Sequence, residues 1–146
     1  QNVLSRAEKE LIFAEKNNIK ILYYLSHDYP KRLQHCYDSP VLIYCKGHTN
    51  LNTEKIIGVV GTRNVTDYGK ILTEKLISDL VADNVLVISG LAYGVDTCAH
   101  KAALNNDLKT VAVLAHGFQT IYPSVNANLA RKIIDNGGCL LTEYIN

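Results

Sequence analysis

Two glycine-bearing stretches, Ile57-Gly58-Val59-Val60-Gly61-Thr62-Arg63 and Ile88-Ser89-Gly90-Leu91-Ala92-Tyr93-Gly94-Val95-Asp96, hold the residues of this chain best suited to chemistry. Each is an apolar run that passes into a glycine-containing loop and then into a helical pattern. That order aims backbone N–H groups and a helix N-terminus at an anion, and phosphate is the anion such loops hold. Arg63 adds a guanidinium able to pair bidentately with a phosphate; the same side chain could face solvent or pair with Asp67 or Glu143. Thr62 and Ser89 offer hydroxyls, and Gly61, Gly90 and Gly94 offer open N–H groups, or else these residues build tight turns. Farther on, His116-Gly117 can donate to phosphate, stack on a base or form a plain turn. Tyr68, Tyr93, Tyr122 and Tyr144 fall beside the same loops and suit either base stacking or packing at the edge of a core.

The spacing excludes several chemistries. Gly58 and Gly61 do not fit the dinucleotide fingerprint G-x-G-x-x-G, and no Gly-Lys-Ser/Thr of a Walker A loop occurs. Ser89, Asp96 and His100 follow the chain order of an α/β-hydrolase triad, but Val87 occupies a glycine position of the nucleophile elbow. Asp96 and His100 are also four apart on one helical pattern, which suits a helix start or a loop brace with the imidazole packed beneath. Cys36, Cys45, Cys98 and Cys139 lie far apart with no C-x-x-C pair, so reduced, mostly buried thiols are expected rather than a zinc site or disulfides. No catalytic residue, metal or cofactor is expected.

The elements that must position these residues are legible as periodicity. Apolar runs at 56–60, 85–89, 110–114 and 139–142 alternate with helical patterns near 69–82, 95–105 and 126–136, the β-α-β alternation of a parallel sheet. The runs are apolar at nearly every position, as expected for strands covered by helices on both faces. Leu72, Leu76, Ile77, Leu80 and Val81 make an expected inward stripe on the first helix; Leu129, Ala130, Ile133 and Ile134 do so on the last, which Gly137-Gly138 should end. Alanines 99, 102 and 103 let the middle helix approach closely. Right-handed crossovers then bring every loop that follows a strand to one edge, so Gly61 to Arg63, Ser89 to Gly94, His116-Gly117 and Glu143-Tyr144 should converge. Upstream, a helix at 5–17 and strands at 19–25 and 41–45 form an N-terminal segment. The predicted fold is α/β, a Rossmann-like parallel sheet flanked by helices, with an N-terminal helix/strand segment and linker over 1–54 and a partial Rossmann-like domain over 55–146.

Composition narrows the function classes. With 146 residues, 47% of them hydrophobic, the chain is long enough to bury a core, and no apolar run approaches membrane-spanning length. It reads as cytoplasmic. Net charge is +1, and from Lys55 onward eight basic residues face eight acidic ones, so any attraction to phosphate must come from where a few charges stand. The chain has no methionine and its first residues read as helix interior, so a fragment of a longer protein is expected.

Taken in order, Gly61-Thr62-Arg63, Tyr68-Gly69, Ser89-Gly90-Leu91-Ala92 with Gly94-Val95-Asp96, Ala99-His100, Ala112-Val113-Leu114, Ile121-Tyr122-Pro123 and Leu141-Thr142-Glu143-Tyr144 closely resemble the DNA-processing protein A (DprA, or Smf) family. Asp28-Tyr29-Pro30, Leu33 and the run from Pro40-Val41-Leu42 to Lys46-Gly47 fit the same family, so the resemblance covers nearly the whole chain. It implies a non-enzymatic protein that binds single-stranded DNA in natural transformation, protects it, loads the RecA recombinase onto it, and dimerises through its Rossmann-like domain. It also implies that Arg63 and the glycine loops grip the sugar-phosphate backbone, and that the sheet continues past Glu143-Tyr144, leaving this domain incomplete at its C-terminus. Two positions depart from the family pattern. His116 stands where a small residue or glycine is usual, and Tyr93 where many members carry a basic residue. The alternative from another class is a nucleotide-binding enzyme related to the phosphoribohydrolases, whose Pro-Gly-Gly-x-Gly-Thr stretch does not occur here.

Overall fold

The computed structural model describes residues 2–145. Helix α1 (Val3–Lys16) leads to strand β1 (Ile19–Tyr23), a four-residue helix α2 (Lys31–Gln34) and strand β2 (Leu42–Gly47). A regular alternation follows: β3 (Ile56–Gly58), α3 (Asp67–Asp79), β4 (Leu86–Ser89), α4 (Val95–Asn105), β5 (Thr110–Leu114), α5 (Ala127–Asp135) and β6 (Cys139–Thr142). The strands form one sheet in the order β1-β2-β6-β5-β4-β3. The four strands from β3 to β6 are mutually parallel, while β1 and β2 are antiparallel and join the sheet where β2 pairs with β6. The sheet is therefore mixed, and segments 1–54 and 55–146 contribute strands to the same ladder.

Local signals account for the helix ends. Thr66 Oγ1 accepts the Gly69 N–H at 3.1 Å, satisfying one of the donors left free at the start of α3. Gly137 stops α5 with φ +75°, and its N–H and that of Gly138 return to the Ile134 and Ile133 carbonyls. The loop at 24–41 carries the one helix the sequence did not suggest, the single turn α2.

Helices do not cover both faces of the parallel strands, contrary to the sequence expectation. From β3 to β6 the chain steps along the sheet in one direction, so three right-handed crossovers place α3, α4 and α5 on the same face. The alternation along β5 shows the two sides. Ala112 and Leu114 pack with Leu129, Ile133 and Leu140 beneath α5, whereas Val111 packs with Leu22, Tyr29, Ile43 and Leu51 on the other face. That second face is covered by the 24–41 loop, Leu33 of α2 and Leu51, and it leaves Val113 46% exposed beside an apolar cavity of about 590 Å³. The near-continuous apolarity of the strands reflects two covered sides, of which only one is helical.

The stripe on α3 is also corrected. Thr73 and Ile77 are its buried residues, while Leu72, Leu76 and Val81 are at least 40% exposed. This helix lies over the edge strand and has a helical neighbour on one flank only, so part of its apolar surface has nothing to cover it. On α4 and α5 the expected contacts form: Ala99, Ala102 and Ala103 are buried, as are Leu129, Ala130 and Ile133.

His100 lies wholly inside this core. Its Nδ1 is 2.7 Å from Thr110 Oγ1, and that hydroxyl donates its proton to the Val87 carbonyl at 2.9 Å. Its Nε2 is buried with no hydrogen-bond partner. Burial favours the neutral ring and holds its pKa down at about 4, from an ordinary 6.5. The unfolded chain then binds more protons than the native one between these two values. Stability is full above about pH 6.5 and falls as pH drops toward 4, by about 3 kcal/mol for this one group. Urea midpoints measured at pH 7, 5.5 and 4 should show that fall, and His100→Gln should flatten it. An identical pH slope in the variant would remove His100 as its cause.

Candidate nucleic-acid interface

Because β3 to β6 are parallel, the loops that leave their carboxyl ends gather at one edge, and hydrogen bonds join them there. The Val95 N–H at the start of α4 donates to the Thr62 carbonyl at 3.1 Å. Gly94 has φ +77°, and a Cβ there would collide with that same carbonyl. A Cβ on Gly61 would meet Val95 Cγ2 at 2.7 Å, and one on Gly90 would meet Asp96 Oδ2 at 2.7 Å. Gly94 is thus required by the approach of the first loop's backbone and Gly61 is crowded by Val95 of the second, whereas Gly90 makes room for Asp96 within its own loop, in each case independently of any ligand.

Asp96 braces the second loop. Its Oδ2 accepts the Gly90 N–H at 3.1 Å and the Ala92 N–H at 3.3 Å from the first turn of α4. Thr97 Oγ1 donates to the Ala92 carbonyl at 2.6 Å. From the opposite side Asn126 Nδ2 donates to the Leu91 carbonyl and to Thr97 Oγ1, both at 2.8 Å. Leu91, fully buried, is held at φ +61°, a conformation that costs a branched residue about 1–3 kcal/mol and persists only where its surroundings impose it. Asn126 and Thr97 had no role in the sequence reading. An asparagine at the head of an amphipathic helix looks like an ordinary cap, and nothing in spacing announces a bond across 35 residues.

The side chains expected at the site separate into two groups. Thr62, Arg63 and Tyr93 are exposed on the loops. Arg63 pairs with neither Asp67 nor Glu143, nor with any other carboxylate among the described residues; Asp67 is taken by Lys70 at 2.8 Å. Thr62 Oγ1 accepts the Asn64 N–H at 3.1 Å, which fixes the turn that carries Arg63. Ser89 and His116 are turned to other work. The Ser89 hydroxyl, 3% exposed, donates to the Val59 carbonyl at 2.6 Å and ties β4 to the end of β3, so it is no donor to a ligand. The His116 ring closes its own loop, with Nδ1 2.8 Å from the Gly117 carbonyl and Nε2 accepting the Tyr122 N–H at 3.1 Å. Thr142 Oγ1 donates to the His116 carbonyl at 2.8 Å and accepts the Tyr144 N–H at 3.1 Å, fastening the third and fourth loops together. No group of three or more His, Cys, Asp or Glu among the described residues could hold a metal ion, and no described helix is long and apolar enough to cross a membrane.

Parallel strands β3 to β6 whose carboxyl-edge loops are hydrogen-bonded to one another, with an arginine exposed on the rim, define a Rossmann-like α/β protein. Within that class the chain belongs to the DNA recombination-mediator protein A family, whose model matches residues 20–146. It is 40% identical over 116 residues to the DNA processing protein DprA of Streptococcus pneumoniae and 41% identical over 120 residues to that of Bacillus subtilis. These alignments cover 80% and 82% of this chain and 40% of each relative, so the chain spans about two fifths of the curated relatives it matches. The X-ray structure of the S. pneumoniae protein superposes with a TM-score of 0.76 at 35% identity, covering 89% of this chain and 46% of that one. A DprA structure from Helicobacter pylori, described for its single-stranded DNA binding mode, superposes with a TM-score of 0.75 at 30% identity over 88% of this chain and 56% of that one.

The clamp has measurable consequences. Asp96→Ala would strand two loop N–H groups and should cost about 1–3 kcal/mol, read as a lower urea midpoint with an unchanged slope. Gly94→Ala should cost more, because strained backbone and a collision with the Thr62 carbonyl add. If both variants match the parent, the loops are not held as described.

Proposed function

We propose that this chain binds single-stranded DNA at the carboxyl edge of its sheet, with Arg63 as the principal phosphate contact. The observation that carries this reading is the exposed, unpaired guanidinium of Arg63 on a loop whose geometry is fixed by Thr62 and by the clamp against Gly94 and Val95. Anchoring a charged group on a braced loop removes the cost of ordering it when the ligand arrives. Exposed Tyr93, at 47%, offers a ring on which a base can stack without regard to its identity. The single-stranded DNA binding named for the H. pylori relative supports the same substrate class.

In this reading the protein is not an enzyme. It grips the backbone, leaves the bases available, and acts in the processing of incoming DNA during natural transformation, in the cytoplasm. Protection of the strand, loading of the RecA recombinase and homodimerisation of the full-length protein are parts of the same proposal. A near-neutral chain suits it, since one well-placed cation contributes affinity for a single strand without the broad basic surface a duplex binder needs.

Arg63→Ala should weaken binding of an oligothymidylate by roughly 1–3 kcal/mol, similarly for other base sequences. It should also flatten the plot of log affinity against log salt by about 0.7, the increment for one phosphate contact on a single strand. Arg63→Lys should recover only part of the loss, keeping the charge but not the bidentate geometry. A folded Arg63→Ala protein that binds as tightly as the parent at low and high salt would exclude the crevice as the DNA site.

A further inference from the structure

On the outer side of the helical layer, between α4 and α5, runs a groove of about 610 Å³ that the crevice does not use. Lys101 and Asn105 of α4 line it together with Asn128 and Lys132 of α5 and Asn136 at the end of that helix, and no carboxylate lines it. Neither lysine forms an ion pair with a carboxylate among the described residues. In a chain whose net charge is only +1, two unpaired ammonium groups with four amides and no acid form a local electropositive path.

One end of the groove abuts the loop that follows β4. Asn126 lines that end and donates to the Leu91 carbonyl and Thr97 Oγ1 at 2.8 Å, inside the loop that follows β4. Both helices start at the carboxyl edge of the sheet and run away from it, and the lining from Asn128 to Asn136 gives the groove a length of about 12 Å.

We infer that this groove carries the phosphodiester backbone of single-stranded DNA as it leaves the crevice, with Lys101 and Lys132 each neutralising a phosphate. An ammonium on a flexible stem holds a phosphate as a point charge and tolerates variation in its position. The amides of Asn105 and Asn128 both donate and accept, so they can meet a phosphate oxygen or a base edge without imposing a sequence. The inference rests on the single-stranded DNA reading of the crevice and extends that site along the molecule.

The test compares oligothymidylates of about 4 and about 16 nucleotides, the ends of the range of single-strand site sizes, on the parent, Arg63→Ala and the double variant Lys101→Ala/Lys132→Ala. The double variant should bind the long strand several-fold more weakly, with a salt slope flatter by about 1.4 for two phosphates lost, and should bind the short strand like the parent. Lys101→Arg/Lys132→Arg should restore long-strand affinity, and Asn128→Asp should weaken it without touching the short strand. If the double variant matches the parent at both lengths, or loses both equally, the groove is not a separate path for the strand. If it loses only the long strand while Arg63→Ala loses neither, the groove stands and the crevice reading falls.

Discussion

The arrangement at the sheet edge depends on one carboxylate. Asp96 accepts two N–H groups from the loop after β4, and the helix that carries it presents its first N–H to the Thr62 carbonyl in the loop after β3. Parallel strands bring the two loops to the same edge, and the Val95 N–H to Thr62 carbonyl bond, with Ser89 bonded to the Val59 carbonyl, joins one to the other. At that separation Gly61 and Gly94 have no room for a Cβ, and Gly90 leaves the space that the Asp96 carboxylate fills.

The same constraint divides labour among the polar groups. Ser89, Thr97, Asn126 and Thr142 are spent on carbonyls and hydroxyls of neighbouring loops, and the His116 ring is spent on its own loop. Each satisfies a group that would otherwise be buried or half-buried without a partner, a debt of about 1–3 kcal/mol apiece. What remains at the surface is a rigid rim with Arg63 and Tyr93 on it. A neutral chain can still present a directed positive charge, with Asp96 held by loop amides and Asp67 paired with Lys70.

The sheet is asymmetric for a topological reason. One direction of travel from β3 to β6 puts three helices on one face, and the opposite face is left to the 24–41 loop and Leu51. The helical layer thereby acquires a groove between α4 and α5, while the other face keeps an apolar hollow bordered by Val113 and Tyr144. β2 closes the far side of the sheet by pairing with β6, which ties the N-terminal strands to the strand that ends in Glu143 and Tyr144.

Much of this was readable in the chain alone. Strand and helix periods placed four parallel strands and three crossover helices within a few residues, and α4 at its observed bounds, because burial on a pleat and on a helix leaves different repeats. Right-handed crossover placed the glycine loops on one edge, and the four-residue spacing of Asp96 and His100 pointed to a brace and a buried ring rather than a triad. The direction in which a side chain turns is set by neighbours far away in sequence, and there the reading failed. Ser89 faces Val59 across 30 residues, Asn126 reaches Leu91 across 35, and Leu72 and Leu76 lie uncovered because α3 sits over an edge strand. Periodicity reports that a surface is apolar, and only the order of strands in the sheet decides whether anything lies against it.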